Sequence, residues 1–276
     1  MLVNLNSVLE HARKEKYAVG LFNTTDTDML QAVLDAAEET RSPVIIGTAE
    51  ILLPYGELKL IAPSVIAAAR RATVPVVVHY DHGLTAGRCA EALELGFSSV
   101  MFDGSVKDYA ANIAETREIV RLARSFGATV EGEIGHVGNA DCASAADRYT
   151  TVEEAADYLL KTGVDALAVA IGTAHGVYKS KPQLNLQRLE ELRAAVNVPL
   201  VLHGGSGLSA DDFRNCIAAG ISKVNIFTDL CLAGDAAMAE CVKNGAGYLE
   251  TRNAKVRAIK AAAAEKMKLF GCAGRA

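Results

Sequence analysis

Short apolar runs alternate along the chain with longer segments in which apolar residues recur every three or four positions. The short runs are rich in β-branched residues, and polar residues or glycine follow each one before the next helical segment begins. Eight runs are predicted as β-strands: residues 17–22, 43–48, 75–81, 99–103, 128–134, 166–171, 199–203 and 223–227. These runs are apolar throughout rather than alternating, which is typical of strands that are covered on both faces.

Segments of helical period lie between the strands and predict helices at residues 28–40, 61–72, 86–95, 110–125, 153–161, 186–195 and 210–219, with a further helical segment at 253–269. Eight strand–helix units of this spacing predict an α/β fold, a single-domain (β/α)8 TIM barrel over residues 1–276. The alternative is an open doubly wound sheet. That fold usually has a glycine-rich turn after its first strand, whereas Asn23, Thr24 and Thr25 stand there.

Composition and charge narrow the class of partner. The chain is 50% hydrophobic but has no apolar stretch of the roughly 18 residues that a membrane span needs. Its 28 basic and 33 acidic residues give a net charge of −5, which provides no basic surface for nucleic acid or an anionic membrane. We therefore expect small-molecule substrates. The six cysteines form no C-x-x-C pair and the N-terminus lacks a signal sequence, so we expect reduced thiols in a cytoplasmic protein.

In a barrel of this kind the chemistry lies where the strands end. Polar and ionisable residues collect at these positions: Asn23, Thr48, His79, Asp81, His82, Asp103, Glu131, Glu133, Gly172, His175, His203, Asn225, Thr228 and Asp229. Of the six histidines, only His11 lies away from a strand end. A single histidine is more often structural than ligating, but this clustering favours a shared role for His82, His175 and His203.

Three imidazoles from separate strand ends can form a catalytic zinc site that leaves one coordination position for water or substrate. The chain has no cysteine pair for a closed structural site, and no His-x-His pair follows its first strand. The metal would therefore be assembled from the third, sixth and seventh strands. Nearby carboxylates would orient the ligands or carry protons. His79 is expected to support the site rather than to bind the metal.

A glycine-rich turn follows the seventh strand. Gly204, Gly205, Ser206 and Gly207 would let backbone N–H groups approach an anion closely, ahead of a helix that begins near Ser209. Loops after the last two strands of a TIM barrel are the usual phosphate site. The turn therefore predicts a phosphate-bearing ligand, although a plain tight turn is the alternative.

Six segments occur together in this order: DHG at 81–83, SSVMFDGS at 98–105, EGEIG at 131–135, AIGTAHGVY at 170–178, LHGGSG at 202–207 and KVNI at 223–226. Together they resemble the class II, zinc-dependent ketose-bisphosphate aldolases, which include the fructose-bisphosphate and tagatose-bisphosphate aldolases. The resemblance covers essentially the whole chain. It is specific for the family and much less so for the substrate.

The resemblance implies roles for individual residues. His82, His175 and His203 would bind Zn²⁺, and Asp81 would serve the oxygen at the bond that is broken or made. The phosphate of dihydroxyacetone phosphate would be held by Gly176, Lys179, Gly204, Ser206, Asn225 and Thr228, and Gly205 lies in the same turn.

Further roles follow from the resemblance. Asn23 would line the substrate pocket, and Glu133 and Asp103 are further candidate metal ligands. Glu133 and Asp141 are the candidates for a second acid/base. The resemblance also implies a monovalent cation, Na⁺ or K⁺, near the phosphate, and a homodimer or homotetramer.

Aldol cleavage leaves a carbanion beside a carbonyl, and it needs either a metal ion or an imine as the electron sink. No lysine ends any of the eight strands. Lys179 lies in a loop, and Lys223 is expected to open the last strand at the opposite end of the barrel. The sequence therefore favours a metal ion, with Asp81 removing the hydroxyl proton.

Departures from the family pattern concern the aldehyde. Ala49 stands where a serine is usual, and the loop after the fifth strand (residues 136–141) resembles a sugar-aldolase branch. Arg252, a candidate phosphate ligand, lacks the usual neighbouring proline and lies in a helical segment. We therefore expect an unphosphorylated or acidic sugar aldehyde as the acceptor. The alternatives are a metal-dependent hydrolase on a TIM barrel and a non-catalytic sugar-phosphate-binding protein.

Overall fold

The computed structural model describes residues 1–135, 137, 149–176, 178 and 182–276. Within them nine strands form one sheet: β1 (Leu2–Val3), β2 (Val19–Asn23), β3 (Val44–Ala49), β4 (Val76–Gly83), β5 (Ser99–Phe102), β6 (Thr129–Ile134), β7 (Ala166–Val169), β8 (Leu200–Leu202) and β9 (Ile221–Ile226). All pairings are parallel, and β2 pairs with both β3 and β9. Strands β2 to β9 thus close a barrel of eight strands, and β1 adds to the start of β4. The predicted (β/α)8 fold is confirmed.

Helices surround the barrel: α1 (Asn6–Glu15), α2 (Thr27–Thr40), α3 (Leu58–Arg71), α4 (Ala86–Glu94), α5 (Tyr109–Ser125), α6 (Val152–Thr162), α7 (Leu186–Ala195), α8 (Ala210–Ala219), α9 (Thr228–Lys243) and α10 (Tyr248–Leu269). A 3₁₀ helix at Glu50–Tyr55 follows β3. The eight predicted strands are all present, with ends that differ by at most two residues. The bounds of α9 and the 3₁₀ helix were not predicted from the sequence.

The apolar core lies between the barrel and the helices, and it includes Phe22 from β2, Leu189 from α7 and Phe213 from α8. Helix boundaries follow local capping. Thr151 and Glu154 form a reciprocal capping box at the start of α6, which satisfies backbone donors that a helix N-terminus otherwise leaves unpaired. Among the described residues, no helix is both long and apolar enough to cross a bilayer.

The interior of the barrel is polar near its C-terminal end. Side chains from strands that are not neighbours meet there: Lys223 of β9 lies 2.9 Å from Glu131 of β6, and Asn225 of β9 donates to Asp81 of β4. These contacts are possible because residues two apart in a strand point to the same face. Lys223 is the third residue of β9 and is fully buried, so the expectation that it opens the strand was wrong.

Candidate active site

A cavity of about 540 Å³ opens where the strands end. It brings together eleven of the residues singled out from the sequence: Asn23, Asp81, His82, Asp103, His175, Gly176, Gly204, Gly205, Ser206, Asn225 and Thr228. Such a pocket, with a few convergent polar groups in an otherwise apolar wall, is the usual form of a small-molecule site. These residues come from widely separated positions in the chain and meet because parallel strands deliver their ends to one face of the barrel.

Consecutive residues of β4 reach this cavity because the strand is distorted there. The pairing of β4 with β5 shifts register between Tyr80 and Gly83, and His82 has a φ of 48°, in the left-handed region. A non-glycine residue in this region is uncommon and costs of the order of 1–3 kcal/mol. The distortion places Asp81 and His82 in the wall of one cavity, whereas Tyr80 points outward and donates to Glu50 at 3.1 Å.

The three predicted histidines meet with their rings nearly perpendicular. The ring centroid of His82 lies 5.0 Å from that of His175 and 4.6 Å from that of His203. His82 Nδ1 is hydrogen-bonded to Asp103 Oδ2 at 2.8 Å, His175 Nδ1 to the carbonyl of Val137 at 3.2 Å, and His203 Nε2 to Glu131 Oε1 at 2.9 Å. Ionised carboxylates and carbonyl oxygens accept hydrogen bonds but do not donate them, so each of these three ring nitrogens carries a hydrogen.

The remaining nitrogens fit a metal ion. His82 Nε2 and His203 Nδ1 face each other at 2.8 Å, and His175 Nε2 is buried without a partner. Candidate ligand atoms of the three histidines all lie within 4.8 Å of one another. Three imidazoles are a common donor set for a catalytic zinc ion, and a carboxylate or carbonyl behind each ring is the usual way of holding it in place.

A second cluster adjoins the first. His82, Asp103 and Glu133 also have ligand atoms within 4.8 Å of one another. Burial, and then the charge of Asp103, raises the pKa of Glu133 to about 8, and one of its oxygens has no hydrogen-bond partner. Burial opposes a charge on His82, but Asp81 and Asp103 raise its pKa to about 10. This concentration of negative charge favours a divalent cation at the cluster.

Asp81 is held by two amides. Asn23 Nδ2 donates to Asp81 Oδ2 at 2.8 Å, and Asn225 Nδ2 donates to Asp81 Oδ1 at 3.1 Å. Burial works against the charge of Asp81, but His82 and Lys223 outweigh it and hold the pKa of this carboxyl below its usual range. Asp81 is therefore an ionised carboxylate of fixed orientation at the wall of the cavity.

A buried network adjoins the cavity, and the sequence reasoning missed its contact between Glu131 and Lys223. One oxygen of Glu131 accepts a hydrogen bond from His203, and the other lies 2.9 Å from Lys223 Nζ. His79 is hydrogen-bonded to Ser99 at 2.8 Å and lies 3.9 Å from Asp81, which agrees with the supporting role expected for it. The spacing of Glu131 and Glu133, and of Lys223 and Asn225, could have indicated this network, because residues two apart in a strand share one face.

The glycine turn also lines the cavity. Gly204 has a φ of 66°, and a Cβ there would lie 2.3 Å from the carbonyl oxygen of Ala174. Ser206 accepts a hydrogen bond from the backbone N–H of Phe227, which precedes α9. Thr228, the first residue of α9, lines the cavity. The first residues of α8 do not line it, and the side chain of Ser209 caps that helix. The helix N-terminus that faces the cavity is therefore that of α9.

Comparison with known proteins agrees with this site. The chain matches the family described as fructose-bisphosphate aldolase class-II over residues 3–275. The chain belongs to this family.

As a member of the class II aldolases, the protein is a carbon–carbon lyase. It is 37% identical to the 6-phospho-5-dehydro-2-deoxy-D-gluconate aldolase of Bacillus subtilis, over 99% of this chain and 97% of that one. It is 38% identical to the fructose-bisphosphate aldolase of Thermus caldophilus, over 100% of both. The crystal structure of the YdjI aldolase from Escherichia coli K12 has a TM-score of 0.91 and 37% identity, again over 100% of both chains.

Class II aldolases are generally metal-dependent, which is consistent with the histidine cluster.

Not every predicted site residue reaches the cavity. Arg252 lies on α10, and neither Arg252 nor Glu133 lines the cavity. Asp141 and Lys179 lie outside the described residues. Ala49, which stands where the family often has serine, lines the cavity without a polar side chain.

Proposed function

We propose that this class II aldolase uses zinc to catalyse reversible aldol cleavage of a ketose phosphate, with dihydroxyacetone phosphate as the donor and a sugar aldehyde as the acceptor. The observation that carries the proposal is that the ligand atoms of His82, His175 and His203 lie within 4.8 Å of one another, beside a cavity that Asp81 also lines. A zinc ion on His82, His175 and His203 would polarise the donor carbonyl as a Lewis acid.

Asp81 is the proton carrier for the hydroxyl that becomes the aldehyde. It lines the cavity, and the amides of Asn23 and Asn225 fix its carboxylate. A positioned acid or base of this kind contributes roughly 10²–10⁴-fold to the rate. In this proposal Glu133 supports the metal ligands and is the alternative ligand, because it is buried beside His82 and Asp103. Asp141 remains the candidate for the carbon-bound proton.

The donor phosphate is proposed to bind at the turn that contains Gly204, Gly205 and Ser206. Backbone N–H groups there and at the start of α9 are the kind of donors that bind phosphate, since the first N–H groups of a helix have no partner within it. Asn225 and Thr228 line the same cavity, as does Gly176. Lys179 and a monovalent cation, Na⁺ or K⁺, complete the proposed phosphate site.

The acceptor is proposed to be an unphosphorylated or acidic sugar aldehyde. The described part of the cavity wall carries no arginine or lysine that could bind a second phosphate, and it includes the apolar residues Ile51, Leu52 and Leu84 beside Glu50. This lining supports an unphosphorylated acceptor. The name of the Bacillus subtilis relative also supports the proposal, because it denotes a sugar acid with a single phosphate.

The test is condensation by the purified zinc-loaded protein. Dihydroxyacetone phosphate is offered with glyceraldehyde, glyceraldehyde 3-phosphate or a carboxylate-bearing aldehyde, and consumption of the donor is followed. We expect turnover with glyceraldehyde or with the carboxylate-bearing aldehyde. Hydrolysis of simple esters without any condensation would favour the hydrolase alternative, and binding without turnover would favour a sugar-phosphate sensor.

We further propose that the enzyme acts in the cytoplasm as a homodimer or homotetramer, as its family resemblance implies. Among the described cysteines, Cys89, Cys216 and Cys272 are buried free thiols, which is compatible with a reducing compartment. Sedimentation of the purified protein measures the subunit number.

A further inference from the structure

An ion pair in the barrel interior connects His203 of the histidine cluster with Asn225, which holds Asp81. Lys223 Nζ and Glu131 Oε2 are 2.9 Å apart, and both side chains are fully buried. Glu131 accepts from His203 through its other oxygen, and Lys223 donates to Asn225 Oδ1 at 2.8 Å. Neither residue lines the cavity, so neither touches the substrate. A buried ion pair is weak evidence for stability, because desolvation offsets most of its attraction.

The hydrogen bonds of Glu131 have a directional consequence for His203. An ionised carboxylate only accepts, so His203 must carry its proton on Nε2 and present the lone pair of Nδ1 to the histidine cluster. Lys223 is a cation 2.9 Å from the other oxygen of Glu131, so its charge favours an oxygen over an NH₂ group at that position. The lysine therefore controls which kind of atom residue 131 presents to His203.

We propose that Glu131 and Lys223 act as a positioning pair that fixes the tautomer of His203 in its metal-binding form. The inference rests on the proposed metal site, and it assigns to the pair a role that neither residue performs by contact with the substrate. A partner that holds a ligating histidine in this way typically contributes 10- to 100-fold to metal affinity.

The substitution Glu131→Gln is predicted to weaken zinc binding. Lys223 would attract the amide oxygen of the glutamine, so the NH₂ group would face His203 Nε2. That nitrogen would then have to accept, and its proton would move to Nδ1, the atom that faces His82. We expect Glu131→Gln to weaken zinc binding 10- to 100-fold. Adding Lys223→Met frees the glutamine to turn its oxygen toward His203 and should bring zinc affinity back to within about threefold of the unmodified protein.

A pair of double variants provides the matched test. Glu131→Gln with Lys223→Met keeps an acceptor for His203, whereas Glu131→Met with Lys223→Met removes it. Neither leaves an unpaired buried charge, so both should fold and unfold at similar temperatures, even if the single variant Glu131→Gln proves too unstable to study. Zinc affinity is measured on the metal-free proteins by competition with a chromophoric chelator. We expect the variant without an acceptor to bind zinc 10- to 100-fold more weakly.

Equal zinc affinity in the two double variants would overturn the proposal, and so would unchanged affinity in a folded Glu131→Gln protein. Failure of the proposed function has a different result: the unmodified protein itself would bind no zinc, or His175→Ala would bind it as tightly as the unmodified protein does.

Discussion

The guanidinium of Arg252 is bound to the carboxylate of Asp28, with 2.7 Å between Nε and Oδ1. Its other nitrogens donate to Gln31 at 2.7 Å and to Asn253 at 3.3 Å. The side chain thus ties α10 to α2 within the chain and leaves the described cavity wall without an arginine. An arginine that the sequence suggested as a phosphate ligand has a structural partner instead.

Arg252→Ala should therefore leave the choice of aldehyde unchanged. We expect the ratio of kcat/KM for glyceraldehyde 3-phosphate to that for glyceraldehyde to stay within about threefold. Because the pair with Asp28 is partly exposed, its loss should lower the free energy of unfolding by no more than about 1 kcal/mol. Arg257→Ala, an exposed arginine on the same helix, is the control. A 100-fold preference for the phosphorylated aldehyde, about 2.7 kcal/mol, that disappears in Arg252→Ala would make Arg252 the phosphate ligand after all.

Removal of metal should abolish activity. Chelation is expected to stop condensation, and added zinc should restore it, because the proposed metal would be held by ligand atoms of three histidines that lie within 4.8 Å of one another. His175→Ala should lose zinc, measured by elemental analysis. His11→Gln, on the exposed side of α1, should retain zinc and activity. Full activity in protein that contains no divalent metal would refute the proposed role of zinc.

Asp81→Asn should separate carbon–carbon bond cleavage from proton exchange on dihydroxyacetone phosphate. Turnover is expected to fall by roughly 10²–10⁴-fold, since a carboxylate that carries a proton is replaced by an amide that does not. Zinc binding should persist because Asp81 is not one of the three histidines. Deuterium exchange into dihydroxyacetone phosphate without aldehyde should be reduced less than cleavage is. Unchanged turnover would show that Asp81 only accepts hydrogen bonds from Asn23 and Asn225.

Gly47→Ala should impair the enzyme through Asn23. An added Cβ at position 47 would lie 2.3 Å from Asn23 Oδ1 and 2.7 Å from a methyl carbon of Leu21. The displaced amide would no longer hold Asp81, and loss of a hydrogen bond to a charged group costs about 1.5–3 kcal/mol, so kcat should fall roughly tenfold or more. Gly87→Ala, which meets no atom within 4 Å, is the matched control.

A double-mutant cycle tests the cause of this loss. In an Asn23→Ala background, Gly47→Ala should lower kcat much less than it does in the unmodified protein, because the amide that it displaces is absent. Equal effects in both backgrounds would place the damage elsewhere, for example in the packing against Leu21.

Several parts of the site were predictable because they depend on local patterns. His82, His175 and His203 each follow an apolar run, and parallel strands in a barrel bring their ends to one face. The order of runs and helical segments therefore predicted which residues would meet. The pattern could not supply the φ of 48° at His82, which depends on the register shift between β4 and β5.

The sequence by itself determined the barrel and the set of residues at its C-terminal end, because strand spacing, side-chain alternation and chemical type are all properties of the chain. Only the tertiary structure decided which nitrogen of each histidine faces the cluster, that Lys223 lies inside the barrel beside Glu131, and that Arg252 faces Asp28. These outcomes depend on contacts between residues far apart in the chain. Donor and acceptor pairing across a packed interior fixes them, and no local pattern records it.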